Sequence, residues 1–192
     1  MSTKPCRGVT LIELVVFIVI VGVAMAGLFA AFNTITAASA DPQVRKQVLA
    51  IAESLMEEVQ LMPFTYCDPD DPAAATATST GGCGTAEVAA VNTGDAATNE
   101  AGETRYSGST PFDNVNDYHR FSMASGIQDI TNATILGLDA YSADIRVIKA
   151  GTALGLSSDD EAVRISVTVT GPGSVSTTLE AYRTRYAPNI LP

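Results

Sequence analysis

A long apolar segment near the N-terminus places the strongest constraint on how this chain can fold. Residues 9–32 read VTLIELVVFIVIVGVAMAGLFAAF, in which Thr10 and Glu13 are the only polar side chains and no proline occurs. As a helix the segment would be roughly 36 Å long at about 1.5 Å per residue, enough to cross a hydrocarbon core of about 30 Å. The segment therefore predicts a single transmembrane helix.

The residues around this segment predict its orientation. Lys4 and Arg7 precede it without any acidic residue, and a positive flank of this kind tends to remain in the cytoplasm while the following chain is exported. Because the whole chain has a net charge of −10, the part after these two cations carries about −12. An acidic body repels phosphate backbones, so we predict no nucleic-acid binding.

Glu13 is the most informative residue of the segment. A carboxylate in a membrane-spanning helix is disfavoured by about 2.5–3.5 kcal/mol near the bilayer centre and by less toward the ends. Cleavage after Gly8 would create a positive α-amino group on Val9, four residues before Glu13 and on the same helical face. Between staggered subunits, the amine of one could neutralise the carboxylate of the next, which predicts assembly in a fixed axial register.

Two simpler interpretations of the segment remain open from these residues. Residues 38–40 (ASA) fit the small-residue pattern of a signal-peptidase site that would release the chain from Asp41 onward, although ordinary signals use apolar runs of only about 7–15 residues. A plain bitopic anchor explains the length and orientation but gives no reason for Glu13. The mature N-terminus distinguishes the three cases, because it would be Val9, Asp41 or Met1.

Beyond the membrane segment the helical pattern continues over residues 33–62. Pro42 should kink this helix or mark a joint between its membrane and soluble halves. Pro63 is expected to end it, because proline lacks a backbone N–H and disfavours helical angles at Met62. Between the two prolines, apolar side chains recur at the spacing of one buried helical face, at Val44, Val48, Ile51, Ala52, Leu55, Met56 and Val59.

The C-terminal part of the chain predicts an antiparallel sheet that covers this helical face. The clearest strand alternates apolar and polar side chains from Val163 to Val169. A Gly-Pro-Gly turn at residues 171–173 leads into a returning strand over residues 175–186, and a further strand is expected over residues 141–149. A helix followed by an antiparallel sheet gives an α+β fold, with residues 63–192 as its globular head.

A long connection and a pair of cysteines lie between helix and strands. Residues 68–109 are rich in Ala, Thr, Gly, Asn and Asp and show little periodicity, so we expect a surface-exposed loop of variable order. Of the three cysteines, Cys6 lies in the basic leader. The remaining Cys67 and Cys83 predict one disulfide, which would tether the first part of the loop and requires an oxidising compartment.

The polar residues of the head do not form a recognisable catalytic pattern. Asp68, Asp70 and Asp71 could offer oxygen ligands to calcium, but their run contains prolines and lacks the glycine and distal glutamate of an EF-hand, so a solvated acidic turn is expected. Residues 113–117 predict an Asx-type turn, and the single histidine, His119, is expected in a loop. We therefore predict no enzymatic activity, no cofactor and no metal site.

The residues at the start of the chain resemble a known processing site. The run RGVTLIEL, from Arg7 to Leu14, resembles that of type IV prepilins and secretion pseudopilins, which combine a basic leader, a glycine before the cut, a glutamate at the fifth mature position and a long apolar helix. The resemblance implies that a prepilin peptidase removes residues 1–8 after Gly8 and methylates Val9, and that Glu13 sets the register. Val9 departs from the phenylalanine with which mature chains of the family usually begin.

The resemblance also implies an architecture, partners and a location. Residues 9–32 would form the transmembrane and assembly helix, residues 33–62 its amphipathic continuation, and the long helix would pack on the C-terminal sheet as in type IV pilins. The implied partners are other pilin subunits, both major and minor, the prepilin peptidase and the inner-membrane assembly platform. The chain would cross the inner membrane once with its head in the periplasm and later reach the pilus and cell surface.

Further segments are similar to minor pilins of mannose-sensitive haemagglutinin (MSHA) pili. They are residues 50–59 (AIAESLMEEV), 63–71 (PFTYCDPDD), 110–118 (TPFDNVNDY) and 182–189 (YRTRYAPN). This similarity implies a minor subunit that acts in pilus biogenesis, at initiation or at the tip. The alternatives are a minor pseudopilin of a type II secretion system, which shares the N-terminal physics, and a tethered periplasmic binding or enzymatic domain, for which Glu13 would be dispensable.

Overall fold

The computed structural model describes residues 9–92, 94–95 and 102–189, and within the helix it leaves aside the side chains of residues 34–41. The predicted leader, residues 1–8, lies outside the described residues. The chain divides into two compact units, Met1–Gln43 and Val44–Pro192. One helix, α1 (Leu11–Leu61), contributes residues to both units.

In the first unit, α1 is apolar and uncovered. The stretch Leu11–Asn33 is long and apolar enough to cross a membrane, and none of its residues is buried. Pro42 lies inside α1 and does not end it, while the division between the two units falls directly after Gln43. Because Pro42 has no backbone N–H, α1 lacks one helical hydrogen bond at this residue. The kink expected at Pro42 stays a prediction.

In the second unit, α1 buries the face that the apolar spacing predicted. Leu55 is 4% exposed, Val44 is half-buried against the same core, and the helix ends at Leu61, shortly before Pro63. The fully buried or nearly buried members of this face are Val48, Ile51, Ala52, Leu55, Met56 and Val59. The predicted stripe is therefore confirmed.

A four-stranded antiparallel sheet in the described residues completes the head. Its strands lie side by side in chain order, so each connection joins direct neighbours: β1 (Ser122–Met123), β2 (Ser142–Lys149), β3 (Ala162–Thr170) and β4 (Ser176–Thr184). The predicted α+β fold is confirmed. The strand expected over residues 175–186 is shorter at both ends, and β1 was not predicted because two residues are too few to show an alternating pattern.

The core of the head lies between α1 and the inner face of the sheet. From β3 the four predicted apolar side chains, Val163, Ile165, Val167 and Val169, are fully buried. The turn after β3 passes close to this core: a Cβ at Gly171 would lie 2.8 Å from the Tyr141 ring and 2.9 Å from Val48. Only glycine fits at this position without displacing its neighbours.

The expectation of a surface-exposed loop over residues 68–109 is wrong for its first part. Here the structure contains the disulfide between Cys67 and Cys83, and Cys67 packs in a small core with Ala74 and Ala77. Two backbone hydrogen bonds also pair residues 66–68 with residues 85–87. These hydrogen bonds pair backbone groups that burial would otherwise leave without partners. Small side chains can therefore be buried here although the sequence shows no helical or strand period. Residues 93 and 96–101 lie outside the description.

Two predictions near the centre of the head are confirmed, an Asx-type turn within residues 113–117 and a loop position for His119, and the structure adds that Asn114 and His119 are buried. The predicted Asx-type turn is present, because the Asn114 Oδ1 accepts a hydrogen bond from the Asn116 amide at 3.2 Å, and this turn caps a buried 3-10 helix, Val115–Tyr118. His119 is only 9% exposed; its Nδ1 accepts a hydrogen bond from the Val147 amide at 3.1 Å, and its Nε2 lies 2.8 Å from the Asp95 carbonyl oxygen. Burial lowers the pKa of His119, so the neutral ring acts as a structural cross-link.

Candidate assembly site

The predicted assembly residues lie at the start of α1. Val9 is 70% exposed and precedes the helix, and Glu13 is an exposed member of its first turn. Gly8, the residue before the predicted cut, lies outside the described residues. The structure thus describes the Val9 side of the predicted processing site.

The structure adds Thr10 to this site. Its carbonyl oxygen accepts a hydrogen bond from the Leu14 amide at 3.2 Å, and its Oγ1 accepts one from the Glu13 amide at 3.4 Å. Thr10 is therefore the N-cap of α1, with Glu13 three residues later. The spacing Thr-x-x-Glu is the sequence signature of a capping box, and this signal could have identified Thr10.

Capping offers a purely local explanation for Glu13, and energies allow a comparison with the register role. An acidic side chain in the first turn of a helix gains about 0.3–1 kcal/mol from the helix dipole. Placing that carboxylate within a membrane costs up to about 2.5–3.5 kcal/mol, depending on its depth. The local gain is smaller than this upper cost. If Glu13 lies well inside the membrane, its carboxylate therefore still needs a cation from outside the helix to stabilise it.

The exposed surface of the N-terminal part of α1 is apolar apart from Glu13 and the residues at its two ends, Thr10 and Asn33. Leu11 is 83% exposed, and Phe17 and Phe29 are each 66% exposed. A helix that is apolar around its whole circumference is stable only in lipid or among other helices. Glu13 is the only charged residue in residues 9–33, so another helix that packs against this segment contacts one charged side chain.

In the head, the structure separates the three aspartates that the sequence placed in one solvated acidic turn. The Asp71 carboxylate accepts hydrogen bonds from the amides of Ala73 at 2.8 Å and Thr85 at 2.6 Å, and these bonds lower its pKa. Asp70 is exposed, but Asp68 is only 1% exposed, so for Asp68 the expectation of a solvated position is wrong. Asp68 and Asp70 instead lie close to Asp113.

Comparison with known proteins identifies the N-terminal segment. The family model described as the prokaryotic N-terminal methylation motif matches residues 3–29, which include Gly8, Val9, Thr10 and Glu13. Neither a search of curated proteins nor a search of solved structures found a significant match. Because the motif ends at residue 29, the head lies outside the matched segment.

The motif and the fold together resemble one class of protein. An apolar N-terminal helix that continues into an amphipathic helix, followed by a four-stranded antiparallel sheet, is the α+β layout of type IV pilin-like proteins. The matched motif supports a type IV pilin-like prepilin or pseudopilin and implies assembly with other pilins and processing by a prepilin peptidase. An apolar helix near the N-terminus is consistent with membrane anchoring of such a protein.

Proposed function

We propose that this chain is a minor pilin of an MSHA-type type IV pilus, similar to the D subunit of that pilus, which is processed after Gly8 and assembles through its N-terminal helix. The observation that carries the proposal is Glu13, the single charged residue at the start of a fully exposed apolar helix. The match of the methylation motif to residues 3–29 supports it.

Processing would supply the charge that Glu13 lacks. Prepilin peptidase hydrolyses the bond between Gly8 and Val9 and methylates the new amine, which stays cationic. Thr10 holds the first turn of α1, so Val9 and Glu13 keep a fixed spacing. In a bundle of such helices, an axial offset brings the amine of one subunit to the carboxylate of the next.

This pairing would select one register among many that are equally apolar. Apolar side chains slide past one another with little energetic preference, whereas an unpaired charge in a water-poor bundle costs several kcal/mol. A bundle in the wrong register leaves both the amine and the carboxylate without partners. The axial register between neighbouring helices is therefore fixed by one ion pair per interface and not by the apolar contacts.

The minor role and the MSHA membership rest on the similar segments in residues 50–59, 63–71, 110–118 and 182–189. The chain would act at initiation or at the filament tip, with major and minor pilins, the prepilin peptidase and the inner-membrane assembly platform as partners. The head would fold in the periplasm, where Cys67 and Cys83 are oxidised, and later stand on the cell surface. In this role the protein is a structural subunit and not an enzyme.

Mass spectrometry of the mature protein tests the processing step. We expect an N-terminus at methylated Val9. A mature chain that begins at Asp41 would indicate simple secretion, and one that retains Met1 would indicate an uncleaved anchor. Either of these results would refute the proposal.

Substitution of Glu13 tests the register step. Glu13→Ala should leave membrane insertion intact but abolish incorporation into filaments, while Glu13→Asp should keep part of it because the charge remains. Glu53→Ala serves as the matched control, since Glu53 is an exposed carboxylate of α1 outside the apolar segment. Normal incorporation of Glu13→Ala in sheared filament fractions would contradict the register role.

A minor pseudopilin of a type II secretion system is the second candidate, because the methylation motif matched at residues 3–29 is compatible with both systems. The two functions differ in which assembly machinery the chain requires. Under the pilin proposal, deletion of the pilus gene cluster removes the protein from extracellular filaments, and deletion of the secretion cluster does not. The reverse result would favour the pseudopilin.

A further inference from the structure

Carboxylates from separate segments of the head converge around Asp113. Asp68, Asp70 and Asp113 each place a carboxylate oxygen within 4.8 Å of the others, and Glu103, Asp113 and Asp117 form a second group at the same spacing. The two groups share Asp113, so five carboxylates gather in one place. We call these five residues, together with the adjacent Glu87, the acidic cluster.

The folded loop supplies one side of the acidic cluster. The Asp68 amide donates a hydrogen bond to the Thr85 carbonyl at 3.1 Å, and the Glu87 amide donates one to the Tyr66 carbonyl at 2.9 Å. Between them Cys67 is bridged to Ala86. Because side chains alternate across such a pairing, Asp68 and Glu87 extend to the face opposite Cys67.

The 3-10 helix Val115–Tyr118 supplies the other side. The Asp117 Oδ2 accepts hydrogen bonds from the amides of Asp113 at 3.1 Å and Asn114 at 2.7 Å, which fixes the positions of both aspartates. The Asn114 side chain in turn donates to Thr65 Oγ1 at 2.7 Å, so the helix is anchored beside the start of the folded loop. The cluster is thus held by ordered backbone on both sides.

Glu87 distinguishes the acidic cluster from an ordinary acidic surface. Its side chain is 0% exposed, and neither of its carboxylate oxygens accepts a hydrogen bond from a described residue. The carboxylate faces Asp117, Asp68 and Glu103 and lies near the Asn116 carboxamide, with which it makes no hydrogen bond of normal geometry. A buried carboxylate in this situation is strongly destabilising unless it binds a proton or another positive charge.

Asp68 and Asn116 show the same shortage of partners. Asp68 is 1% exposed, and while its Oδ1 accepts a hydrogen bond from the Asp70 amide at 2.7 Å, its Oδ2 has no partner among the described residues. Asn116 is 0% exposed, and neither its side-chain oxygen nor its nitrogen is hydrogen-bonded to a described residue. Several buried oxygens beside Glu87 therefore remain available as ligands.

No side chain of the described residues provides the compensating charge for Asp68, Asp70, Glu87 or Glu103 as an ion pair. Arg105 pairs with Glu58 at 2.6 Å. The Arg185 guanidinium is close enough to Glu87 for the two charges to attract, but it stacks at 4.0 Å from the centre of the Phe64 ring and its side chain donates only to the Glu87 backbone oxygen, at 3.4 Å. Burial and the neighbouring carboxylates raise the pKa values of Glu87 and Glu103 to about 9. These groups thus favour a bound positive charge.

We propose that the acidic cluster binds one calcium ion, with ligand oxygens from Asp68, Glu87, Glu103, Asp113 and Asp117. An all-oxygen set of carboxylates selects a hard cation, and calcium accepts 6–8 oxygens at about 2.3–2.6 Å in irregular geometry. Within each of the two groups, Asp68–Asp70–Asp113 and Glu103–Asp113–Asp117, the carboxylate oxygens lie within 4.8 Å of one another, which matches about twice that distance. Magnesium needs shorter bonds of about 2.0–2.1 Å in a strict octahedron, which carboxylates on separate segments fit less well.

A bound ion would join parts of the head that the sheet does not connect. It would link the disulfide-tethered loop, Glu103 and the 3-10 helix, and it would replace mutual repulsion of carboxylates by shared attraction. Because the ion binds the folded state, it would stabilise the head against unfolding. This role is independent of processing at Gly8 and of the filament to which the chain belongs.

Equilibrium dialysis tests the proposal on the full chain in non-ionic detergent after removal of metals with EDTA. With radioactive calcium as the probe, we expect one ion per chain and a Kd below about 1 mM, the range of extracellular calcium modules. At calcium concentrations near 100 times the Kd, the midpoint of thermal unfolding of the head should rise by at least about 5 °C. Absence of binding at 5 mM calcium, or equally tight binding of magnesium, would overturn the calcium assignment.

Variants separate a ligand role from a merely structural one. Glu87→Gln and Glu103→Gln should each weaken calcium binding at least tenfold and remove most of the thermal shift. Neither should lower the calcium-free midpoint near neutral pH, because a carboxyl group with a pKa of about 9 is already uncharged there and glutamine resembles that form. Glu53→Gln, on the exposed face of α1, should change neither quantity. If Glu103→Gln, whose position is half-exposed, binds calcium like the unaltered chain, the proposal is wrong even if Glu87→Gln fails to fold.

Discussion

The two parts of α1 on either side of Pro42 have the same secondary structure but opposite relations to their surroundings. Among residues 11–33 the apolar side chains are exposed around the whole helix, whereas residues 44–61 bury a single apolar stripe against the sheet and expose polar groups elsewhere. The second part is complete within its own unit. No described residue covers the first part, which is consistent with a helix that anchors the chain in a membrane.

Truncation of a buried leucine gives the largest contrast between the two parts. Leu55→Ala should lower the free energy of unfolding of the head by about 2–5 kcal/mol, because it leaves a cavity between α1 and the sheet. Leu28→Ala, at a position that is 52% exposed, should leave that free energy unchanged. Chemical denaturation of the full chain in detergent measures both, and equal effects would show that the two parts are not energetically distinct.

The disulfide extends the comparison to the folded loop. A variant with Cys67→Ala and Cys83→Ala should lose about 3 kcal/mol of stability, as expected for a bridge that closes a loop of about 15 residues. Cys6→Ala, in the leader, should have no effect on unfolding of the head. If the loop were open, as its composition indicates, loss of the disulfide would hardly change the free energy of unfolding. That result would contradict the burial of the first part of the loop.

Two glycines give the smallest and most specific contrast. Gly171→Ala should destabilise the head by about 1–3 kcal/mol, because its Cβ would lie 2.8 Å from Tyr141 and 2.9 Å from Val48. Gly27→Ala should not lower helix stability, since no other group lies within 4 Å and alanine is the better helix former. If Gly27→Ala nevertheless reduces filament assembly, a neighbouring subunit packs closely at that residue.

Much of the fold could be predicted because its signals are local and repeated. The spacing of Val48, Leu55 and Val59 predicted the buried face of α1, and the alternation from Val163 to Val169 predicted β3 and its inner side. The two-residue strand β1 could not be found, because its pairing with β2 is set by tertiary contacts. The first part of the loop was wrongly expected on the surface, because burial of alanines beside a disulfide leaves no periodic signal.

The candidate sites differ in the same respect. Val9, Glu13 and the preceding glycine lie within a few residues, so one short run carries both the predicted charge pairing and the resemblance that implies processing, and the Thr-x-x-Glu signature would also have shown the cap. The acidic cluster combines Asp68, Glu87 and Asp113 from segments far apart in sequence. Taken locally, residues 68–71 predict a solvated acidic turn and residues 113–117 an Asx-type turn, and Glu87 stands in no recognisable motif.

The amino-acid sequence by itself determined that this chain has a membrane-type helix with one acid at its start and an amphipathic continuation followed by a sheet. These features follow from residue order, because helical and strand periodicities and the spacing of Val9 and Glu13 need no distant contact. Only the tertiary structure decided which carboxylates meet in the head. Burial and repulsion act through space, so the shortage of partners at Glu87 arises only when separate segments are folded against one another.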